Sequence, residues 1–342
     1  MSSNTYHFPF PSQPASRRRL VMRLLAAGLG VAGAMGLQPA WADGWPNKPV
    51  TLVVPFPPGG PTDMVARVLA QSVGEQLKQS VIVDNKPGAN GNIGNAYVAK
   101  AAADGYTVLY NTSSIALSPS LYKKLSYNLN TELAPVVLTA VVPLALVVNP
   151  DKVKAQTVAE YVQHAKSQKG NVSYGSAGNG NVTHLAAYQF VQHYGIEATH
   201  VPYKGSAPAD VDLVAGQIDF LTDTINSVSA FIKDGKLRLL AVSTPRRLPN
   251  FPQAPTLAES GMTGYESGAW QGVMVPAKTP QDVIDRLNQA FNHALKDPEV
   301  LKKLAIQSTE PLGSTPAEYG EYIQKELKRW ASVVKSTGVS LD

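Results

Sequence analysis

The chain has 342 residues, 30 Lys and Arg against 25 Asp and Glu, a net charge of +5, and no cysteine. The missing cysteine excludes disulfides, thiolate metal sites and a lipid-modified N-terminal cysteine. Four arginines and no acid fall within residues 1–42, so the remaining 300 residues carry only +1; the basic balance is therefore no argument for nucleic acid binding.

Those first 42 residues read as an export signal. Arg17, Arg18, Arg19 and Arg23 precede an apolar run, Leu24 to Leu37, that is too short to span a bilayer comfortably. Ala40-Trp41-Ala42 fits a small-x-small cleavage site before Asp43. The competing reading is an uncleaved membrane anchor, which the short apolar run and the adjoining cleavage site disfavour. Ser16-Arg17-Arg18-Arg19-Leu20-Val21 resembles a twin-arginine signal and leaves the export route, Sec or Tat, open. No later apolar run is long enough for a span.

Val50 to Val54 is a β-branched run that suits a buried strand. Pro55 to Pro61 continues neither strand nor helix, and Thr62 or Asp63 can N-cap a helix starting near Met64. Strand, glycine loop and helix start together place bare N–H groups at the positive end of a helix dipole, an arrangement suited to an anion. Val81 to Val83 reads as a second strand, Asp84 to Asn92 as a turn-rich loop, Ala96 to Ala102 as a helix and Tyr106 to Tyr110 as a third strand closed by Asn111-Thr112-Ser113-Ser114. This is the rhythm of a parallel α/β sheet, whose ligands sit at the carboxyl ends of the strands. Val136 to Val148, broken by Pro143, suits a strand leaving one lobe for another.

A second α/β block follows. It has a strand at Val172 to Tyr174, the loop Gly175 to Asn181, and a helix from Val182. Next come a strand near Thr199 to Val201, the loop Pro202 to Ser206, a helix carrying Val211, Leu213 and Val214, and strands at Ile218 to Leu221 and Leu237 to Val242. Glu266 to Val275 reads as the return crossing. Thr279-Pro280 and Thr315-Pro316 open two tail helices. Val283, Ile284, Leu287, Ala290 and Phe291 form the apolar stripe of the first, and Tyr319, Ile323, Leu327, Trp330 and Val334 that of the second, which Gly338 can end.

Four loop sequences then add up: Val54-Pro55-Phe56-Pro57-Pro58-Gly59-Gly60-Pro61-Thr62-Asp63, Asn85 to Gly94, Tyr174 to Gly180 with His184, and His200 to Ala209. Together with Gly216-Gln217-Ile218-Asp219 and Gly235-Lys236-Leu237-Arg238 they resemble, in order along the whole mature chain, the solute receptors of tripartite tricarboxylate transporters, the Bug family. The resemblance implies a two-lobed periplasmic-binding-protein fold of α/β class, each lobe a mainly parallel sheet flanked by helices and joined by crossing strands. It implies a soluble periplasmic receptor, without cofactor or metal, that closes on a small organic carboxylate held by loop backbone groups and water. None of the four motifs contains an arginine. Pro57-Pro58 departs from the small residues many relatives carry there, and prolines lack N–H donors, so Phe56, Gly59, Gly60 and Thr62 are the expected contacts in that loop. The expected lobes are residues 43–141 with 268–342, and 142–267. The expected partners are the ligand and membrane transporter subunits, or a sensor kinase if the receptor reports rather than feeds a permease. The protein is expected to be a monomer.

Each candidate has a bland reading beside it. Gly59, Gly60 and Thr62 form one half of a carboxylate cradle, or a tight turn. Asn90, Asn92, Thr112 and Ser113 supply further donors, or only turn chemistry. Ser176, Gly178 and Asn179 repeat the cradle from the opposite wall. His184 binds ligand or orients its loop. Lys204 steers anions or is merely solvated. Asp223 accepts loop or ligand N–H groups or organises water. Trp270 stacks on an organic ligand or packs at the hinge. Ser176, His184 and Asp223 also invite a hydrolytic triad, but Gly175-Ser176-Ala177-Gly178 is not the G-x-S-x-G elbow. No H-E-x-x-H occurs, and the glycine loop fits neither the Walker nor the dinucleotide pattern.

Overall fold

β1 (Val50–Val54) leads through the proline–glycine loop into α1 (Pro61–Leu77), which has Pro61 in its first turn. The structure, a computed structural model, describes residues 44–337; the export signal, its cleavage site and Gly338 lie outside the described residues. β2 (Val81–Asn85), a 3-10 turn (Ala89–Gly91), α2 (Asn92–Ala99) and β3 (Thr107–Thr112) follow. α3 (Ser114–Leu121) and α4 (Leu129–Glu132) precede the long β4 (Leu133–Val148). The second block holds α5 (Val158–Ser167), β5 (Ser173–Ser176), α6 (Val182–Tyr194), β6 (Thr199–Pro202), α7 (Ser206–Val214), β7 (Phe220–Thr224), α8 (Ile225–Lys233) and β8 (Arg238–Val242). β9 (Gly268–Pro276), α9 (Gln281–Ala294), α10 (Pro298–Ile306), β10 (Glu310–Pro311) and α11 (Pro316–Thr337) complete the described chain.

The strands join in the order β2-β1-β3-β9-β4-β7-β5-β6, with β8 and β10 also on β4. β1 runs parallel to β2 and β3, and β5 parallel to β6 and β7; these are the parallel centres of two halves. Their link is antiparallel. Leu133 to Pro143 of β4 lies along β9, and Leu144 to Val148 pairs with β7 and β8.

The sequence led us to expect a strand over Val136 to Val148 that carries Pro143, and β4 runs through that proline. Pro143 is the last residue paired to β9, opposite Gly268, and pairing to β7 begins at Leu144. A residue without an N–H is tolerated where one partner ends and another begins. The tail helices bury the expected stripes: Val283, Ile284, Leu287, Ala290 and Phe291 on α9, and Tyr319, Ile323, Trp330 and Val334 on α11. Leu327 is half-buried, and Pro280 stands at the N-cap of α9 rather than inside it.

Candidate functional site

A cavity of about 70 Å³ lies among the loops at the carboxyl ends of the parallel strands. From the first sheet it is walled by Phe56, Pro57, Pro58 and the start of α1 at Gly60, Pro61 and Thr62. Thr112 at the end of β3, and Ala269 and Gln271 of β9, form its floor on the same side. From the second sheet come Ala177, the start of α6 at Asn181, Val182 and Thr183, the segment Lys204 to Pro208 at the start of α7, and Thr224, the N-cap of α8.

Four helix N-termini thus open on one space. The first turn of a helix leaves N–H groups without intrahelical acceptors. Asn181 supplies one at α6, accepting from the Thr183 N–H at 3.1 Å. α1, α7 and α8 begin at Gly60, Gly205 and Thr224 with no side-chain cap. At α1, Pro61 has no N–H to give, which leaves the donors of Thr62 and Asp63. Uncapped N–H groups and converging positive dipole ends are what an anion needs. Lys204 alone among the described residues lining the cavity is charged, and it is exposed.

The first loop is held from behind. Thr62 or Asp63 was expected as the N-cap, but Gly60 takes that position. Asp63 instead reaches back to the Gly59 N–H (2.8 Å) and accepts from Arg67 Nε (2.8 Å) and Asn85 Nδ2 (2.9 Å). Asn85 Nδ2 also donates to the Phe56 carbonyl at 3.0 Å. Burial pushes the Asp63 carboxyl up, but these hydrogen bonds and the Arg67 charge outweigh it and hold its pKa below the usual value. Asp63 is therefore the anionic post that fixes the loop from Phe56 to Gly60.

Phe56, Gly60, Thr62 and Thr112 line the cavity as expected. Asn90, Gly178 and Asn179 line a larger, more open recess of about 610 Å³ that shares Phe56, Pro57, Ala177, Lys204 and Gly205 with it. The other candidates do not line either space, each for a visible reason. Gly59 gives its N–H to Asp63. Asn92 is buried in α2 and accepts from Tyr127 Oη at 3.0 Å. Ser113 is buried, its N–H on the Trp270 carbonyl at 2.9 Å. Ser176 is buried and shares a 2.7 Å hydrogen bond with His200 Nε2. Trp270 is buried at the crossing, where its Nε1 and that of Trp330 both donate to Glu326 Oε2 at 3.0 and 2.9 Å. It lies on β9 opposite Val141 of β4 and lines neither space.

His184 accepts the Gly180 N–H through Nδ1 at 3.1 Å and stacks on His200 with ring centroids 3.8 Å apart. Burial, with His200 beside it, holds His184 down to about 3; burial holds His200 down to about 4. His184 therefore orients the loop into α6 as a neutral ring. Asp223 is buried behind the cavity wall and accepts from the Ser206 hydroxyl (2.8 Å) and the Thr224 N–H (2.6 Å). Ser176, His184 and Asp223 thus each have other partners, and no triad relay joins them among the described residues.

Sequence reading missed two features. The first is the wall from Gly205 to Pro208, although the quoted motif His200 to Ala209 contains its glycine N-cap. The second is a bridge between the two sides of the site. Asn90 Nδ2 donates to the Gly180 carbonyl (3.0 Å), and Asn90 Oδ1 accepts from Ser114 Oγ (3.1 Å) and Asn181 Nδ2 (3.3 Å). Asn90 was expected to present a donor to ligand or to serve only the turn; here its amide makes the bridge.

The family model of the tripartite tricarboxylate transporter family receptor matches residues 65–339. The chain belongs to this family of solute-binding receptors. The periplasmic binding protein BugD superposes with a TM-score of 0.83 at 35% identity, covering 86% of this chain and 99% of BugD. R. palustris Rpa4515, solved with adipate, gives 0.83 at 36% identity, covering 86% and 99%. MatC (Rpa3494) from Rhodopseudomonas palustris, with bound malate, gives 0.79 at 30% identity, covering 85% and 100%. The two-lobed α/β fold expected from the loop motifs is that of these receptors. Among the described residues no helix is long and apolar enough to cross a membrane.

Proposed function

We propose that the protein is an exported periplasmic receptor that captures a small organic dicarboxylate between its lobes and delivers it, chemically unchanged, to a tripartite-type membrane transporter. The observation that carries this reading is the convergence of three uncapped helix N-termini, α1 from one side and α7 and α8 from the other, on one cavity. Donors on opposite walls suit two acid groups on one molecule, and dipole ends meet their charge without burying a counter-ion. Relatives solved with adipate and malate support the ligand class.

The lobes are residues 43–141 with 268–342, and 142–267, and the change of partner on β4 at Pro143 is the hinge. Closure brings Phe56, Gly60, Thr62 and Thr112 against the α7 and α8 ends, with Asn90 bridging to Gly180.

The test is a thermal-shift and calorimetric screen of the protein against mono-, di- and tricarboxylates, including adipate, malate and an aromatic diacid. At a hundredfold excess over Kd a true ligand stabilises by about 2.7 kcal/mol, a shift of roughly 5 °C, and is recovered intact by NMR. Shifts with cations or neutral sugars only, or turnover of the acid, would overturn the proposal.

A further inference from the structure

Two carboxyls stand behind the α7 and α8 wall with no cation paired to either among the described residues. Asp223 ends β7 fully buried. One of its oxygens takes the Ser206 hydroxyl and both the N–H and hydroxyl of Thr224. Ser206 and Thr224 line the cavity, so this carboxyl sets the ends of α7 and α8 against each other. Its second oxygen is buried without a hydrogen-bond partner. Asp210, one helical turn beyond Ser206, is also buried. Asp210 bonds the Ser227 hydroxyl on α8 through Oδ2, and its Oδ1 is buried without a partner.

No cation compensates them from the packed elements. β4 carries no charged residue, and β5 contributes Tyr174, stacked on His184, His200 and Phe220. α7 adds Asp212, which accepts the Tyr203 hydroxyl, and α8 adds Lys233 at its exposed far end. Lys204 is exposed at the cavity rim. An ionised carboxylate with a bare buried oxygen is costly, and two side by side are costlier. A protonated carboxyl, by contrast, carries no charge to bury and gains a donor.

We infer that Asp210 and Asp223 are buried, proton-bearing positioning groups that set the α7 and α8 donors, and that anion capture in the cavity draws a further proton onto them. The inference rests on the carboxylate-receptor reading above. Burial raises both carboxyls, Asp210 to about 8 with Asp223's charge adding to it, and Asp223 to about 6. An anion at the same helix ends raises them further, so proton uptake accompanies binding around neutral pH.

The test titrates adipate and malate into the protein by calorimetry between pH 7 and 8, in buffers of different ionisation enthalpy, where both acids are fully ionised. Wild type should take up roughly half a proton per ligand and lose affinity about two- to fivefold from pH 7 to pH 8. Asp210→Asn and Asp223→Asn should each lower the uptake and the pH slope, because each removes one of the two carboxyls that burial raises. A purely structural role would shift affinity and leave the pH slope. Asp210→Asn, which keeps a partner for Ser227, decides if Asp223→Asn does not fold. Binding without proton exchange in wild type, or with the slope unchanged in the variants, overturns the proton link alone. No binding of any acid in the screen overturns it together with the receptor reading.

Discussion

Asn90→Gly isolates the bridge between the lobes. Asn90 sits at φ 53, in the left-handed region that glycine adopts without strain, so the change removes the side chain and leaves the backbone at ease. Two of its hydrogen bonds cross the cleft, to the Gly180 carbonyl at 3.0 Å and from Asn181 Nδ2 at 3.3 Å; the third, from Ser114, holds Asn90 ready on its own side. In an open form water satisfies these groups, so each crossing bond is worth about 0.5–1.5 kcal/mol to the closed state. Their joint loss is about 2 kcal/mol, which weakens ligand affinity roughly 30-fold. Calorimetry with the tightest acid of the screen reads this, and small-angle scattering of the liganded variant should show a larger fraction of expanded molecules. Thermal stability without ligand should change little. An affinity within twofold of wild type would refute the reasoning.

Trp270→Phe should lower stability by about 2–3 kcal/mol, through the lost indole volume and the lost bond to Glu326, while affinity stays within about twofold; an affinity loss at unchanged melting temperature would restore the stacking reading. Gly205→Val should cost about tenfold in affinity, because Gly205 is held at φ 120, which valine adopts only under strain, and an added Cβ alone would already be in van der Waals contact with Pro57 across the cleft, at 3.5 Å, with the valine methyls still to place; wild-type binding would mean the lobes meet differently. The buried His184 and His200 hold folded-state pKa values below the unfolded one, so the stability they contribute is present above pH 6.5 and lost as pH falls through about 4 to 3. Melting curves should show a steeper acid loss in wild type than in His184→Asn, and equal slopes would contradict the assignment.

Much of the first lobe was legible because its signals are local. Val50 to Val54 is a strand at the residues expected, and the proline–glycine run marks the loop and helix start. α6 begins at Val182 and the tail helices bury the stripes read from their spacing. α3 was not legible, because it is buried nearly all round and carries Pro119, so it shows no amphipathic period. α8 starts directly at the strand end Thr224 with no turn residue to announce it. α5 and α10 did carry readable starts, the Thr157 cap with Glu160 in the first turn and Asp297 before Pro298, which the strand rhythm overshadowed.

In the site, glycine-rich motifs located the loops but not the use of each donor. Gly59 and Asn90 look alike as turn residues. Only three-dimensional partners show that Asp63 occupies the one, and Gly180, Ser114 and Asn181 the other. The buried Asp210 lies within a helix, where nothing in its spacing distinguishes it from a solvated acid.

The most direct measurement is a crystal structure grown with the tightest-binding dicarboxylate. One carboxylate should lie within hydrogen-bond distance of the Thr62 and Asp63 N–H groups, and the other should face the Ser206 and Thr224 ends of α7 and α8, directly or through one water. A guest bound outside this space, or gripped by the Lys204 ammonium with the helix ends left empty, would contradict capture by uncapped backbone donors.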